Sequence, residues 1–359
     1  MDGVVLNAEG FESQPRVGRT IAGAVIADKL AHAYLLVGPR GVGKQPAALA
    51  LGRLAACAAP ALRDGTVTPC GACSACRLPF RPDRHHDLLL LDPQQKESRL
   101  SDGSGAARDV GLIDRIREAQ TGISIRPLVS RRKCLIILRM DSLQQVHMSA
   151  VLKTIEEPPG HAIIILTAEN PSALLPTILS RCQILEFRTT SPEELLAALG
   201  RDDPAARVAV ALSCGRIEPA RRLLESGQIG TLRERVARLL ELALSDDPVD
   251  ALRAAEQCRR LCTEWHGLTE GGDEAKPDIS DEEKVRRAID GVLYPLEAAL
   301  RDSCAERLGA AVPQLGDGTP PSVAPSRAGA ALRTIGAAKR AIAQNANTRL
   351  ALEAMFLGV

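Results

Sequence analysis

An α/β domain followed by an all-helical half is the architecture that this 359-residue sequence predicts, and three observations predict it. Short apolar runs recur through the first half, at Ala33 to Val37, Leu88 to Leu91, Cys134 to Leu138, Ala162 to Leu166 and Gln183 to Phe187, each bounded by polar or turn residues. Between two of them Met148, Val151, Leu152 and Ile155 recur at helical spacing until Pro158-Pro159 stops the pattern. After Arg188 the texture changes: Ser191-Pro192-Glu193-Glu194 supplies an N-cap, a proline at the first helical position and a Glu at the third.

Runs as apolar as the first five suit strands buried on both faces, as in a parallel sheet covered by helices. The chain is long enough for two or three cores. The expected division is an α/β domain over 1–188, a small helical domain over 189–245 and a helical C-terminal domain over 246–359. Loops are expected from Gly271 to Asp281 and, rich in Pro, Gly and Ser, from Val312 to Ser326. No internal repeat is visible.

Composition narrows the function. Aromatic residues make up only 2%, so the core is aliphatic and few platforms exist for stacking single-stranded bases. The net charge of +1, without a basic tail, gives no electrostatic footprint for tight DNA binding by the lone chain. No apolar run approaches the ~20 residues of a membrane span, and the start, with Asp2 and Glu9, has no signal-like apolar stretch. A cytoplasmic location without membrane association is expected.

Directly after the first strand comes Gly38-Pro39-Arg40-Gly41-Val42-Gly43-Lys44-Gln45, leading into an Ala- and Leu-rich run. In the pattern G-x-x-x-x-G-K-[ST] the loop's backbone N–H groups wrap phosphates, the lysine reaches the β/γ-phosphates and the hydroxyl binds magnesium. Gly38, Gly41, Gly43 and Lys44 keep the phosphate-binding part, but Gln45 stands where the hydroxyl belongs. Such sites also need a carboxylate at the end of a neighbouring strand. The candidate strand runs instead into Leu138, Arg139 and Met140, and Asp141 reads as a turn or cap residue. Both losses argue against hydrolysis, while the retained glycines and lysine leave nucleotide binding open.

Cys57 is followed by Cys70-Gly71-Ala72-Cys73-Ser74-Ala75-Cys76. In a reducing compartment this cluster predicts a closed four-thiolate zinc site, structural because no coordination position remains for catalysis. His85 and His86 read as part of the turn before the next strand. Cys258 and Cys262, one helical turn apart without a second pair, read as buried thiols.

A degenerate P-loop followed by a cysteine insertion resembles the bacterial clamp-loader family of AAA+ proteins, which includes the delta-prime and gamma/tau subunits. Three further segments carry the resemblance: Ala31-His32-Ala33-Tyr34-Leu35, Leu152-Lys153-Thr154-Ile155-Glu156-Glu157-Pro158-Pro159, and Ser180-Arg181-Cys182. It covers roughly the first 190 residues. Beyond them it rests on Leu212-Ser213-Cys214-Gly215 and on Asn345 to Glu353, which resembles a last collar helix.

The resemblance implies an AAA+ P-loop domain with a zinc module at about 57–76, a helical lid and a helical oligomerisation collar. It implies gamma/tau and delta partners in a five-membered ring that loads a sliding clamp on primed DNA. Gln45, Leu138 and Arg139 side with the delta-prime type, as does Glu218, which falls where an active relative presents an arginine. Arg181 is then implied as an arginine finger, acting in trans on the neighbour's ATP. The alternatives are a gamma/tau-type ATPase that tolerates Gln45, and a zinc-containing nucleic-acid binder. The residues of Glu156-Glu157-Pro158-Pro159 read as a polar helix end that packs or contacts neighbours rather than an acid/base pair.

Overall fold

The structure is a computed structural model that describes residues 6, 10–63, 65–93, 100–101, 107–108, 111–270, 280–307, 324–344 and 346–358. It divides into two compact units that meet in sequence at Thr190 and Ser191.

In the first unit the chain runs through α1 (Pro15–Ile26), β1 (Ala33–Val37), α2 (Lys44–Ala56), β2 (Ala61–Arg63), β3 (Thr66–Thr68), α3 (Ser74–Arg77) and β4 (Leu88–Leu91). It continues through β5 (Leu100–Ser101), β6 (Ala107–Arg108), α4 (Leu112–Ser124), β7 (Lys133–Ile137), α5 (Gln145–Glu156), β8 (Ala162–Ala168), α6 (Pro176–Leu179) and β9 (Gln183–Glu186). Five strands form one parallel sheet in the order β4-β7-β8-β1-β9. Each expected run became a strand. The third lies one residue earlier than its apolar pattern, because Arg139 turns into the left-handed region at φ 48° just beyond Leu138.

Alternation along β1, β7 and β8 explains why these inner runs are so apolar, whereas the edge strand β9 exposes Gln183, Ile184 and Glu186. Tyr34, Leu36, Ile136, Ile163 and Ile165 share a core with Ile21, Leu51 and Leu54 of α1 and α2. Their neighbours Leu35, Leu135, Ile137, Ile164 and Leu166 share another with Ile116 of α4 and with Val151 and Ile155 of α5. A strand whose successive side chains enter opposite cores has no polar position to offer.

Asp87, fully buried before β4, braces this domain. Its carboxylate accepts from the backbone N–H groups of Leu128, Val129 and Ser130 at 2.7, 2.9 and 2.9 Å. Burial pushes its pKa up, but these backbone donors outweigh it and hold the group below the usual carboxylate range. A depressed folded pKa contributes stability that is present above the unfolded value and lost as pH falls through the folded one. Asp87→Ala should therefore cost about 3 kcal/mol at neutral pH, because donors are left unpaired. In urea titrations the difference from wild type should shrink below about pH 4. A gap unchanged down to pH 2 would rule out the charge as the source.

The second unit comprises α7 (Pro192–Leu199), α8 (Pro204–Leu212), α9 (Ile217–Ser226), α10 (Ile229–Ala243), α11 (Pro248–Glu270), α12 (Asp281–Arg307), α13 (Pro325–Ala343) and α14 (Thr348–Leu357). The expected cap at Ser191 is a full capping box with Glu194. One apolar core runs from Val208 to Phe356, and Cys258 and Cys262 are buried in it. A smaller cluster gathers Leu195, Val210, Ile217 and Ala220. The loop expected at 271–281 falls largely, and that at 312–326 mostly, outside the described residues. So does Asn345, whereas Asn347 caps α14 by accepting from Leu350 N at 3.0 Å. No helix among the described residues is long and apolar enough to cross a membrane.

Candidate functional site

Three places carry the residues singled out by sequence, the first at the C-terminal end of the sheet and the other two toward its opposite end, after α2 and before β9. At the first, the strand–loop–helix context predicted for the P-loop is present, with β1 ending at Val37 and α2 starting at Lys44. Gly43, the N-cap of α2, has φ 94°, a conformation glycine adopts without cost. A side chain there would also meet the Gly10 carbonyl at 3.0 Å. Lys44 is buried, and its Nζ donates to the carbonyls of Gly38 and Pro39 at 2.6 Å each. The lysine thus ties down the start of its own loop. Gln45 is exposed.

Where the sequence pattern called for a carboxylate, β7 runs into Leu138 and Arg139. Leu138 is buried, and the backbone N–H of Arg139 donates to Thr167 Oγ1 on β8 at 2.9 Å. The Arg139 guanidinium pairs with Asp92, which follows β4, and Arg115 donates to the Asp92 carbonyl at 3.1 Å. Asp141 accepts from the backbone N–H groups of Glu169 and Asn170 at 3.0 and 2.9 Å. It braces the turn after β8, as a cap residue does. Asp92 and Asp141 are both committed to partners within the chain, and Leu138 and Arg139 supply no carboxylate. Sequence reasoning missed the Arg139–Asp92 pair, although an arginine and an aspartate each ending an apolar run were visible.

At the second place, the sulfurs of Cys57, Cys70, Cys73 and Cys76 all lie within 4.8 Å of one another. Cys57 caps the C-terminus of α2, the β2–β3 hairpin follows, and the C-x-x-C-x-x-C turn enters α3. The Cys70 and Cys76 sulfurs are 3.9 Å apart. Four bonds of about 2.3 Å to one tetrahedral ion would set sulfurs about 3.8 Å apart, so the thiols fit a metal ion. Backbone N–H groups of Ala72 and Cys73 lower the Cys70 thiol to about 6, which makes a thiolate available, while burial raises Cys76 to about 12. The module is stitched to the domain by Ser74 Oγ, which donates to the Val129 carbonyl at 2.8 Å, beside the loop held by Asp87. His85 is not part of the cluster. It is buried edge-on against Phe80 just before β4.

The third place is the turn after α6. Arg181 is about 40% exposed. Its NH1 donates to Thr177 O at 3.2 Å and to Ser180 Oγ at 3.4 Å, and its NH2 meets Glu156 Oε1 at 3.1 Å. Glu156 is the last residue of α5, so the polar helix end seen in the sequence is the partner of the finger candidate. Cys182, beside it, is raised to about 11 by burial and so stays a thiol.

Comparison with known proteins gives one family match: residues 13–191 fit the family model described as DNA polymerase III, delta subunit. The chain is 30% identical over 233 residues to DNA polymerase III subunit delta' of Bacillus subtilis, covering 64% of this chain and 65% of that protein. It is 31% identical over 228 residues to the delta' subunit of Pseudomonas aeruginosa, covering 61% and 64%. The gamma/tau subunit of Mycobacterium bovis is 29% identical over 261 residues, covering 68% of this chain and 42% of that one. The alignments thus span just under two thirds of the delta' relatives and about two fifths of gamma/tau.

Proposed function

Because this chain belongs to the DNA polymerase III clamp-loader family, we propose that it is a delta-prime-type subunit, a non-hydrolysing member of the ring that loads the sliding clamp on primed DNA. The observation that carries this reading is the replacement of the catalytic carboxylates by Leu138 and by an arginine already paired with Asp92. A magnesium ion would find no hydroxyl at Gln45 and a guanidinium where it needs an acid. A gamma/tau-type ATPase would need both.

In this reading the ring neighbours are gamma/tau and delta subunits, the helices from about residue 246 form the collar, and Leu350 and Leu357, both exposed on α14, face neighbouring subunits. Arg181 completes the ATP site of the adjacent gamma subunit. Cys57, Cys70, Cys73 and Cys76 hold one zinc ion, which closes the hairpin module and takes no part in chemistry.

The isolated chain should show no magnesium-dependent ATP turnover above a blank, whereas the complex reconstituted with gamma and delta should hydrolyse ATP when clamp and DNA are added. Steady hydrolysis by the lone chain, abolished by Lys44→Ala, would reassign it to the gamma/tau type.

A further inference from the structure

Among the described residues the Arg181 guanidinium meets the Thr177 carbonyl, the Ser180 hydroxyl and the Glu156 carboxylate. Glu156 ends α5, so its charge adds to the negative end of that helix. Both attract a guanidinium. Given the trans role proposed above, we infer that Glu156 is a positioning residue that holds Arg181 in a resting pose, which the neighbour's ATP must displace.

The Glu156 carboxylate and a γ-phosphate compete for the same N–H donors, since NH1 is already engaged by Thr177 and Ser180. Both side chains of the pair are about 40% exposed, and an ion pair this open favours the bound arrangement by a factor of only about 1.5 to 5. That is strong enough to keep the long side chain from wandering and weak enough for a triphosphate to win. Glu157, the next residue, is exposed and has no ion pair with Arg181. The two glutamates therefore differ in role despite being adjacent.

The test uses the complete loader, reconstituted from gamma and delta with this subunit as wild type, Glu156→Gln, Glu157→Gln, Arg181→Ala or the Glu156→Gln/Arg181→Ala double variant. Assembly is checked by gel filtration, and kcat and KM for ATP are measured with clamp and primed DNA. Glu156→Gln keeps the shape but removes the charge. It should raise kcat/KM about 1.5- to 5-fold at the completed site, with total ring turnover moving the same way by a smaller factor. Glu157→Gln should leave it unchanged, and the gain should vanish when Arg181 is alanine. An unchanged or lower kcat/KM in Glu156→Gln, with Arg181→Ala still deficient, overturns the restraint and leaves the trans role standing. An equal gain from Glu157→Gln, or a gain that persists without Arg181, overturns it too. Wild-type rates in Arg181→Ala remove the trans role itself.

Discussion

A clamp loader carrying Arg181→Ala in this subunit is expected to assemble normally and to lose hydrolysis at the one site that the arginine completes. Phosphoryl transfer leaves the protein little to do beyond positioning and charge stabilisation, and an arginine supplied from a neighbour is typically worth about 10³ to 10⁵ in rate. The loss at that site should fall in this range, while total turnover falls less because the remaining sites are intact. Folding should be unaffected, since Arg181 lies on the surface and its ion pair is exposed. Single-turnover hydrolysis and clamp-loading assays on the reconstituted ring would reveal the effect. Undiminished rates in both would leave Arg181 as a surface residue that merely caps α5.

The second large effect is expected at the cysteine cluster. Purified, reduced protein should contain about one zinc per chain by mass spectrometry. Metal binding and local folding are coupled, and in isolated zinc-finger peptides the coupling reaches an apparent ~10 to 16 kcal/mol. Here the β2–β3 hairpin and α3 are expected to depend on the ion, while the parallel sheet has cores of its own. Cys73→Ser should therefore cost on the order of 4 kcal/mol and lower the melting temperature by roughly 10 °C. Limited proteolysis should then cut first between residues 57 and 80. The ATPase of the assembled ring should survive at temperatures where the variant stays folded. Reduced native protein with no bound metal, or a Cys73→Ser variant as stable as wild type, would remove zinc from the description.

Much of the first unit could be read from sequence because its physics is local and repetitive. Runs such as Ile163-Ile164-Ile165-Leu166 read as strands covered on both faces, which holds for β1, β7 and β8 though not for the exposed edge strand β9, and the spacing of Cys70, Cys73 and Cys76 announces a shared ligand set. Ser191 and Glu194 sit three residues apart and mark a helix start. What stayed hidden is pairing over long separations. Arg139 meets Asp92 across 47 residues, and Asp87 reaches the 128–130 backbone across more than 40. Neither partner has a pattern around it that names the other. The β2–β3 hairpin was also invisible, because three-residue strands on a half-exposed surface lack enough alternation to register. Glu156 and Arg181 each belonged to a motif that was noticed, yet only the fold shows that the two motifs touch.

The order β4-β7-β8-β1-β9 has a consequence for the chain as it is made. β1 is paired on both sides by strands that are synthesised more than a hundred residues after it. At about 5 to 20 residues per second, its apolar segment waits on the order of ten seconds for Ala162–Ala168, and a little longer for Gln183–Glu186. During that interval Ala33 to Val37 is an unpaired strand with two greasy faces, the kind of nascent segment that chaperones bind.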